Sequence, residues 1–102
     1  MAQVFKRESA RRDLIAQWVW YADNGDIELA DRFLAAVEAT LELLSLHPEI
    51  GVAIAWAKSE VAGIRRLPVG GSFDNILLFY RVSEEGTELI RVIHGRESAW
   101  LV

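Results

Sequence analysis

A chain of 102 residues, 52% hydrophobic and 25% charged, has the size of one globular domain with a single modest core, and residues 1–102 are too few for two domains. It has no cysteine and only two histidines, His47 and His94, which excludes a disulfide, a thiolate nucleophile and a Cys-ligated zinc; no metal site and no cofactor are expected. The formal charge of −4 does not suit an indiscriminate nucleic-acid binder, and no stretch reaches the ~20 apolar residues of a membrane span or the apolar core of a signal peptide, so a cytoplasmic protein is expected.

The segment Gln3 to Arg7, QVFKR, reads as a short strand. Ser9 then offers an N-cap for a helix starting at Ala10, along which Leu14, Trp18 and Tyr21 fall at helical spacing, flanked by Ile15 and Ala22. That helix should end at Asn24-Gly25, with the glycine in the left-handed conformation. Asp26 caps a second helix with Glu28 and Asp31 near its positive end, and Ala30, Phe33, Leu34, Val37, Leu41 and Leu44 form its apolar stripe. Pro48 stops it. The short connection makes the two helices an antiparallel hairpin.

The following stretch, PEIGVAIAWAKSEVAG, has no clean period and reads as a loop with a short helical turn. Strand rhythm then takes over at Gly63 to Val69, Asn75 to Val82 and Thr87 to Ile93. Gly70-Gly71-Ser72 joins the first two strands, and Ser83-Glu84-Glu85-Gly86 closes a hairpin between the second and third. The expected fold class is α+β, a helical hairpin packed on one face of a small, mostly antiparallel sheet.

Because side chains alternate along a strand, regular pairing puts Leu77, Phe79 and Arg81 on one face with Ile90, Val92 and His94. Ile76, Leu78, Tyr80 and Val82 then share the other face with Leu89, Arg91 and Ile93. Both faces are apolar and the helices cover one, so the second should need a partner or an oligomer, unless Gly51 to Ala62 and the tail Ala99 to Val102 fold back over it.

Charge is uneven along the chain. Met1 to Ala57 holds five Lys/Arg against nine Asp/Glu, whereas Lys58 to Val102 holds six of each, including Arg65, Arg66, Arg81, Arg91 and Arg96. These arginines are either sheet-edge, solvent-facing residues or a binding surface.

The order of these elements, with WVWYA in the first helix, Ala30-x-x-Phe33 in the second, Pro48-x-x-Gly51 after it and the ending Arg91-Val92-Ile93-His94-Gly95, resembles the ParE/RelE superfamily of type II toxin-antitoxin toxins. The ParE branch fits best, over nearly the whole chain. For that branch the resemblance implies a growth-inhibiting toxin that binds DNA gyrase with no chemistry of its own. A cognate antitoxin would hold it inactive, forming an oligomer with it and supplying the DNA-binding half. The toxin alone would then bind no specific DNA sequence.

The RelE branch implies instead a metal-independent mRNA endonuclease acting on the ribosome. Basic residues would stabilise the charge on phosphate, and a positioned acid or base would move the proton. Here the sequence departs from the pattern: Leu77 stands where an arginine is expected three residues before the strand tyrosine. The late tyrosine also has no counterpart, Trp100 being the nearest aromatic. A rearranged nuclease site would have to use Arg65, Arg66, His94 and Arg96, although a histidine between Ile93 and Gly95 on a strand is also an ordinary structural residue.

The resemblance therefore assigns Arg65, Arg66, Arg81, Arg91, Arg96 and Trp100 to the target-facing surface, arginine being suited by its planar fork to paired contacts with carboxylate or phosphate. Trp18, Tyr21, Phe33 and Val37 would line an antitoxin groove, though their spacing is also that of a core stripe. A third implied possibility is an antitoxin-binding component without toxicity.

Overall fold

The computed structural model describes residues 4–54 and 63–95. Its elements are strand β1 (Val4–Lys6), helices α1 (Glu8–Asn24) and α2 (Ile27–Leu46), and strands β2 (Val52–Ala53), β3 (Ile64–Pro68), β4 (Ile76–Ser83) and β5 (Gly86–His94). Among the described residues the sheet runs β1-β5-β4-β3-β2, with β1 parallel to β5 and the other neighbours antiparallel. The expected helical hairpin and mostly antiparallel sheet are both present.

Helix α1 begins two residues before the expected start. Ser9 does not cap it: Arg7 holds the cap position, and the Ser9 hydroxyl donates to Ile90 O at 2.7 Å. Gly25 closes the helix, but with φ −135 rather than in the left-handed region. A Cβ there would lie 2.6 Å from Leu29 Cδ2, the end of a side chain that can swing away, and 3.1 Å from Tyr21 O, so the fit is tight. The Asp26 cap is formed as expected, its Oδ1 accepting the Leu29 N–H at 2.7 Å. Ala30, Phe33, Val37, Leu41 and Leu44 are buried, while Leu34 lies at the rim, 36% exposed. Thr40 joins the buried stripe, because its hydroxyl donates to Ala36 O and accepts the Gly70 N–H, tying α2 to the β3–β4 connection.

Part of the stretch read as a loop is strand β2, pairing Val52 with Arg66 and Ala53 with Arg65. Two residues carry no alternation that sequence periodicity can detect. The Gly70-Gly71-Ser72 connection contains a 3-10 turn, Gly71–Phe73, which sends Phe73 into the core against Tyr21 and Phe33.

The larger correction concerns β5. Pairing runs regularly from Ser83↔Gly86 to Tyr80↔Leu89, then slips, so that Phe79 faces Arg91, Leu78 faces Val92 and Ile76 faces His94. Ile90 is the extra residue of a β-bulge. Ile90 keeps the face shared with Phe79 that regular alternation assigns, and from Arg91 onward every side chain of β5 is on the opposite face from the one it assigns. Val92 joins Ile76, Leu78, Tyr80 and Leu89 beneath the helices, with Phe33, Val37 and Leu44. Arg91 and Ile93 turn to the outer face.

The outer face has its own cluster of Ile64, Phe79, Ile90 and Ile93, each no more than 5% exposed, with Ile54 and Leu77 packed against it. It is therefore not the open apolar patch that the sequence suggests would require a partner. The expected fold-back over it lies mostly outside the described residues, apart from Ile54, whose N–H donates to Ile64 O at 3.0 Å.

Candidate functional site

The bulge leaves backbone groups on the side of β5 that β1 is too short to cover. Beyond β1, Arg7 N–H still reaches Leu89 O at 2.9 Å; Ser9 Oγ then takes Ile90 O, and the Asp13 carboxylate accepts Val92 N–H at 2.9 Å. Asp13 also receives Arg91 in paired fashion, Nε at 2.7 Å and Nη2 at 3.1 Å. The first turns of α1 thus replace a strand along this edge, as edge protection demands. Part of the positive charge at Arg91 is engaged in that structure.

Register places the other arginines. Arg66 and Arg91 both lie opposite Phe79, and Arg81 lies between Ile64 and Glu88, so Arg66, Arg81 and Arg91 share the outer face of the sheet. Arg65 faces the helix side opposite Tyr80, and its Nη1 donates to Gly51 O at 2.8 Å and Glu49 O at 3.3 Å. With its head group bonded to backbone, Arg65 anchors the loop after α2. The same loop is held by Tyr80, whose hydroxyl accepts Gly51 N–H at 2.8 Å. Burial pushes the Tyr80 phenol above its ordinary value, with the Gly51 bond and nearby Arg65 opposing that shift. The Arg66 side chain is exposed and makes no hydrogen bond or ion pair with the described residues. Arg96 and Trp100 lie outside the described residues.

His94 is on the helix side, opposite Ile76, with its Nε2 3.0 Å from the Asn75 amide nitrogen. It borders a groove of about 750 Å³ between α1, the start of α2 and the ends of β4 and β5, which Trp20, Tyr21, Arg32, Ser72 and Asn75 also line. Burial raises the Tyr21 phenol too.

The fold does not gather Arg65, Arg66 and His94 into one constellation. Arg65 pairs with Tyr80 and His94 with Ile76, four residues along β4 and two strands apart, or roughly 16 Å between backbones at standard sheet spacings. Arg66 is on the other face altogether. Of the four residues assigned to an antitoxin groove, Phe33 and Val37 have no exposed surface and belong to the core, which withdraws them from any surface role. Trp18 and Tyr21 are half-buried; Trp18 donates from Nε1 to Asp31 at 3.2 Å, and Tyr21 stands in the groove wall. Sequence reasoning missed Asp13, and took Ser9 for a helix cap and Gly51 for part of a family pattern, because the roles of all three depend on partners dozens of residues away.

A family model described as the ParE toxin of type II toxin-antitoxin systems, parDE, matches residues 4–99. Among solved structures the fold is similar to a chain of the "Chromosomal ParDE TA system from P. aeruginosa", with a TM-score of 0.74 and 17% identity, covering 92% of this chain and 96% of that one. At that identity the likeness is one of fold. No curated protein sequence matches.

Proposed function

The chain belongs to the ParE toxins of type II toxin-antitoxin systems, and from that premise we propose that it inhibits DNA gyrase by protein binding and is neutralised by a cognate antitoxin. The observation that carries the reading is the placement of the arginines. Arg66, Arg81 and Arg91 share the outer sheet face, whereas His94, the one imidazole that a rearranged nuclease could use, stands on the other side of the sheet. Separation of this kind suits a surface that binds, and works against stabilising a phosphorane while moving a proton, which requires the groups within hydrogen-bond reach of one reacting centre.

On this reading Arg66 is the leading target contact, with Arg81 and Arg91 on the same face of the sheet, and Arg65 serves the fold; Arg96 and Trp100 stay target contacts on the strength of the family resemblance alone. The antitoxin contributes an amphipathic segment to the groove beside Tyr21, where Trp20 supplies apolar surface and Arg32 a positive charge. Inducing the chain alone in bacteria, while following plasmid supercoiling and message integrity, tests the proposal. Inhibited gyrase with intact RNA is the expected outcome, and growth should recover on co-expression of the antitoxin. Ribosome-dependent cleavage of message with normal supercoiling would overturn it.

A further inference from the structure

Helix α1 buries Ala10 and Leu14 and packs Tyr21 against the core, yet the stripe on its opposite side is also apolar at its centre. Ile15 is 66% exposed, Val19 44% and Trp20 56%, with Ala16 exposed among them. At 3.6 residues per turn Arg12, Ala16, Val19 and Asp23 run down the middle of this outward stripe, with Ile15 on one flank and Trp20 on the other. Arg12 marks its N-terminal end, paired on its own helix only with Glu8 at 3.5 Å, and Asp23 marks its C-terminal end. An outward stripe with an apolar centre and opposite charges at its two ends is complementary to itself when a second copy runs antiparallel.

We propose that this face of α1 is the interface of a two-fold homodimer in which α1 packs against α1 of a second copy. A two-fold axis passing between Gln17 and Trp18 puts Arg12 opposite Asp23 of the other copy, at both ends at once. It sets Ile15 against Val19 and lays the Trp20 ring over Ala16, so the largest side chain of the stripe meets the smallest. Such isologous pairing is how closed homodimers form, and a nearly antiparallel crossing is a standard helix packing. The Trp20 ring is already braced edge-on against Tyr21 at 5.4 Å, so fixing it in an interface costs little further side-chain entropy. Charge favours a second copy over an acidic or basic partner, because the stripe carries one residue of each sign at its two ends. Half a dozen side chains from one helix cover less than the ~800 Å² per partner of a standard interface, so the association is expected at micromolar concentrations or weaker.

Sedimentation velocity of the purified full-length chain over a concentration series tests this. The expected result is a reversible monomer–dimer equilibrium. Val19→Glu should abolish the dimer, and Arg12→Asp or Asp23→Arg alone should each weaken it at least 10-fold, while R12D/D23R together restores it. The residues are exposed, so circular dichroism should show each variant folded. Because the chain has no native cysteine, oxidative cross-linking provides a second reading. Mixing A16C protein with V19C protein should give the 16–19 heterodimer in clear excess over the 16–16 and 19–19 products, since the proposed axis brings those two Cβ atoms within disulfide reach. A chain that stays monomeric at millimolar concentration, a double charge swap that fails to restore association, or cross-links without preference would each overturn the proposal. So would a dimer indifferent to V19E. Ala16 and Trp20 also line the groove given to the antitoxin, so the homodimer is a state of the free chain that antitoxin binding displaces. None of these outcomes bears on the cellular target, so the two proposals fail independently.

Discussion

Replacing Gly51 by alanine should destabilise this protein severely for a change of one methyl group. A Cβ on Gly51 would sit 2.5 Å from Tyr80 Oη, 2.7 Å from Tyr80 Cε1 and 2.9 Å from Arg66 O. Tyr80 is fully buried and Arg66 O belongs to a central part of the sheet, so neither can yield as a surface side chain would. Overpacking of this kind costs about 1–3 kcal/mol. Moving the loop outward to relieve it breaks the bond from Gly51 N–H to Tyr80 Oη, leaving two buried polar groups without each other, a further loss of about 1–3 kcal/mol. The sum, about 2–6 kcal/mol, is a large part of the ~5–15 kcal/mol available to a small domain. At about 4–8 °C per kcal/mol, thermal unfolding should show a Tm lowered by at least about 8 °C. A double-mutant cycle with Tyr80→Phe isolates the cause. Y80F alone should cost about 1 kcal/mol, and the two changes together should cost at least ~1 kcal/mol less than their sum, because they share one contact. A G51A Tm within about 4 °C of wild type, or strict additivity with Y80F, would refute the clamp between this loop and the sheet.

Asp13→Ala removes the acceptor of both the Arg91 fork and the Val92 N–H. With Asp13 17% and Arg91 36% exposed, solvent screens part of the pair, and a loss of about 2 kcal/mol is expected, with hydrogen exchange at the Val92 amide rising first. Both tyrosines of the chain have phenols raised by burial, so spectrophotometric titration should show less than half of the tyrosine ionised at the ordinary value of 10.0. The folded state holds each proton more tightly than the unfolded chain, so the corresponding stability is intact below about pH 10 and is lost as pH climbs through the raised values; the alkaline slope of Tm should be shallower in Y80F. Arg66→Glu should leave Tm within about 3 °C, as expected for an exposed side chain, while reducing growth inhibition on induction at least 10-fold. Unchanged toxicity would remove Arg66 from the target surface.

Much of the fold is legible in the order of residues because its signals are local. Asp26 as a helix cap, the stripe from Ala30 to Leu44, the stop at Pro48 and the turn within Ser83 to Gly86 each depend on neighbours a few positions away, and each is formed. The resemblance that identifies the family is of the same kind, an ordered series of local patterns. Alternation in β5 was readable only as far as Ile90. The bulge at Ile90 is stable because Ser9 and Asp13, about eighty residues earlier, satisfy the backbone groups it leaves unpaired. No window along the chain contains both sides of that exchange.

That single slip decided which residues form the candidate site. It turned Arg91 outward to share a face with Arg66, brought Val92 under the helices, and set His94 beside Asn75, away from the arginines. Gly51 followed the same logic. The sequence shows a glycine three residues after Pro48, and only the packed structure shows that a Tyr80 hydroxyl occupies the space where a side chain would go. Helices, turns and family were determined by the chain's local chemistry; the face on which each arginine points was decided by tertiary contacts, because in a strand one extra residue inverts every side chain that follows.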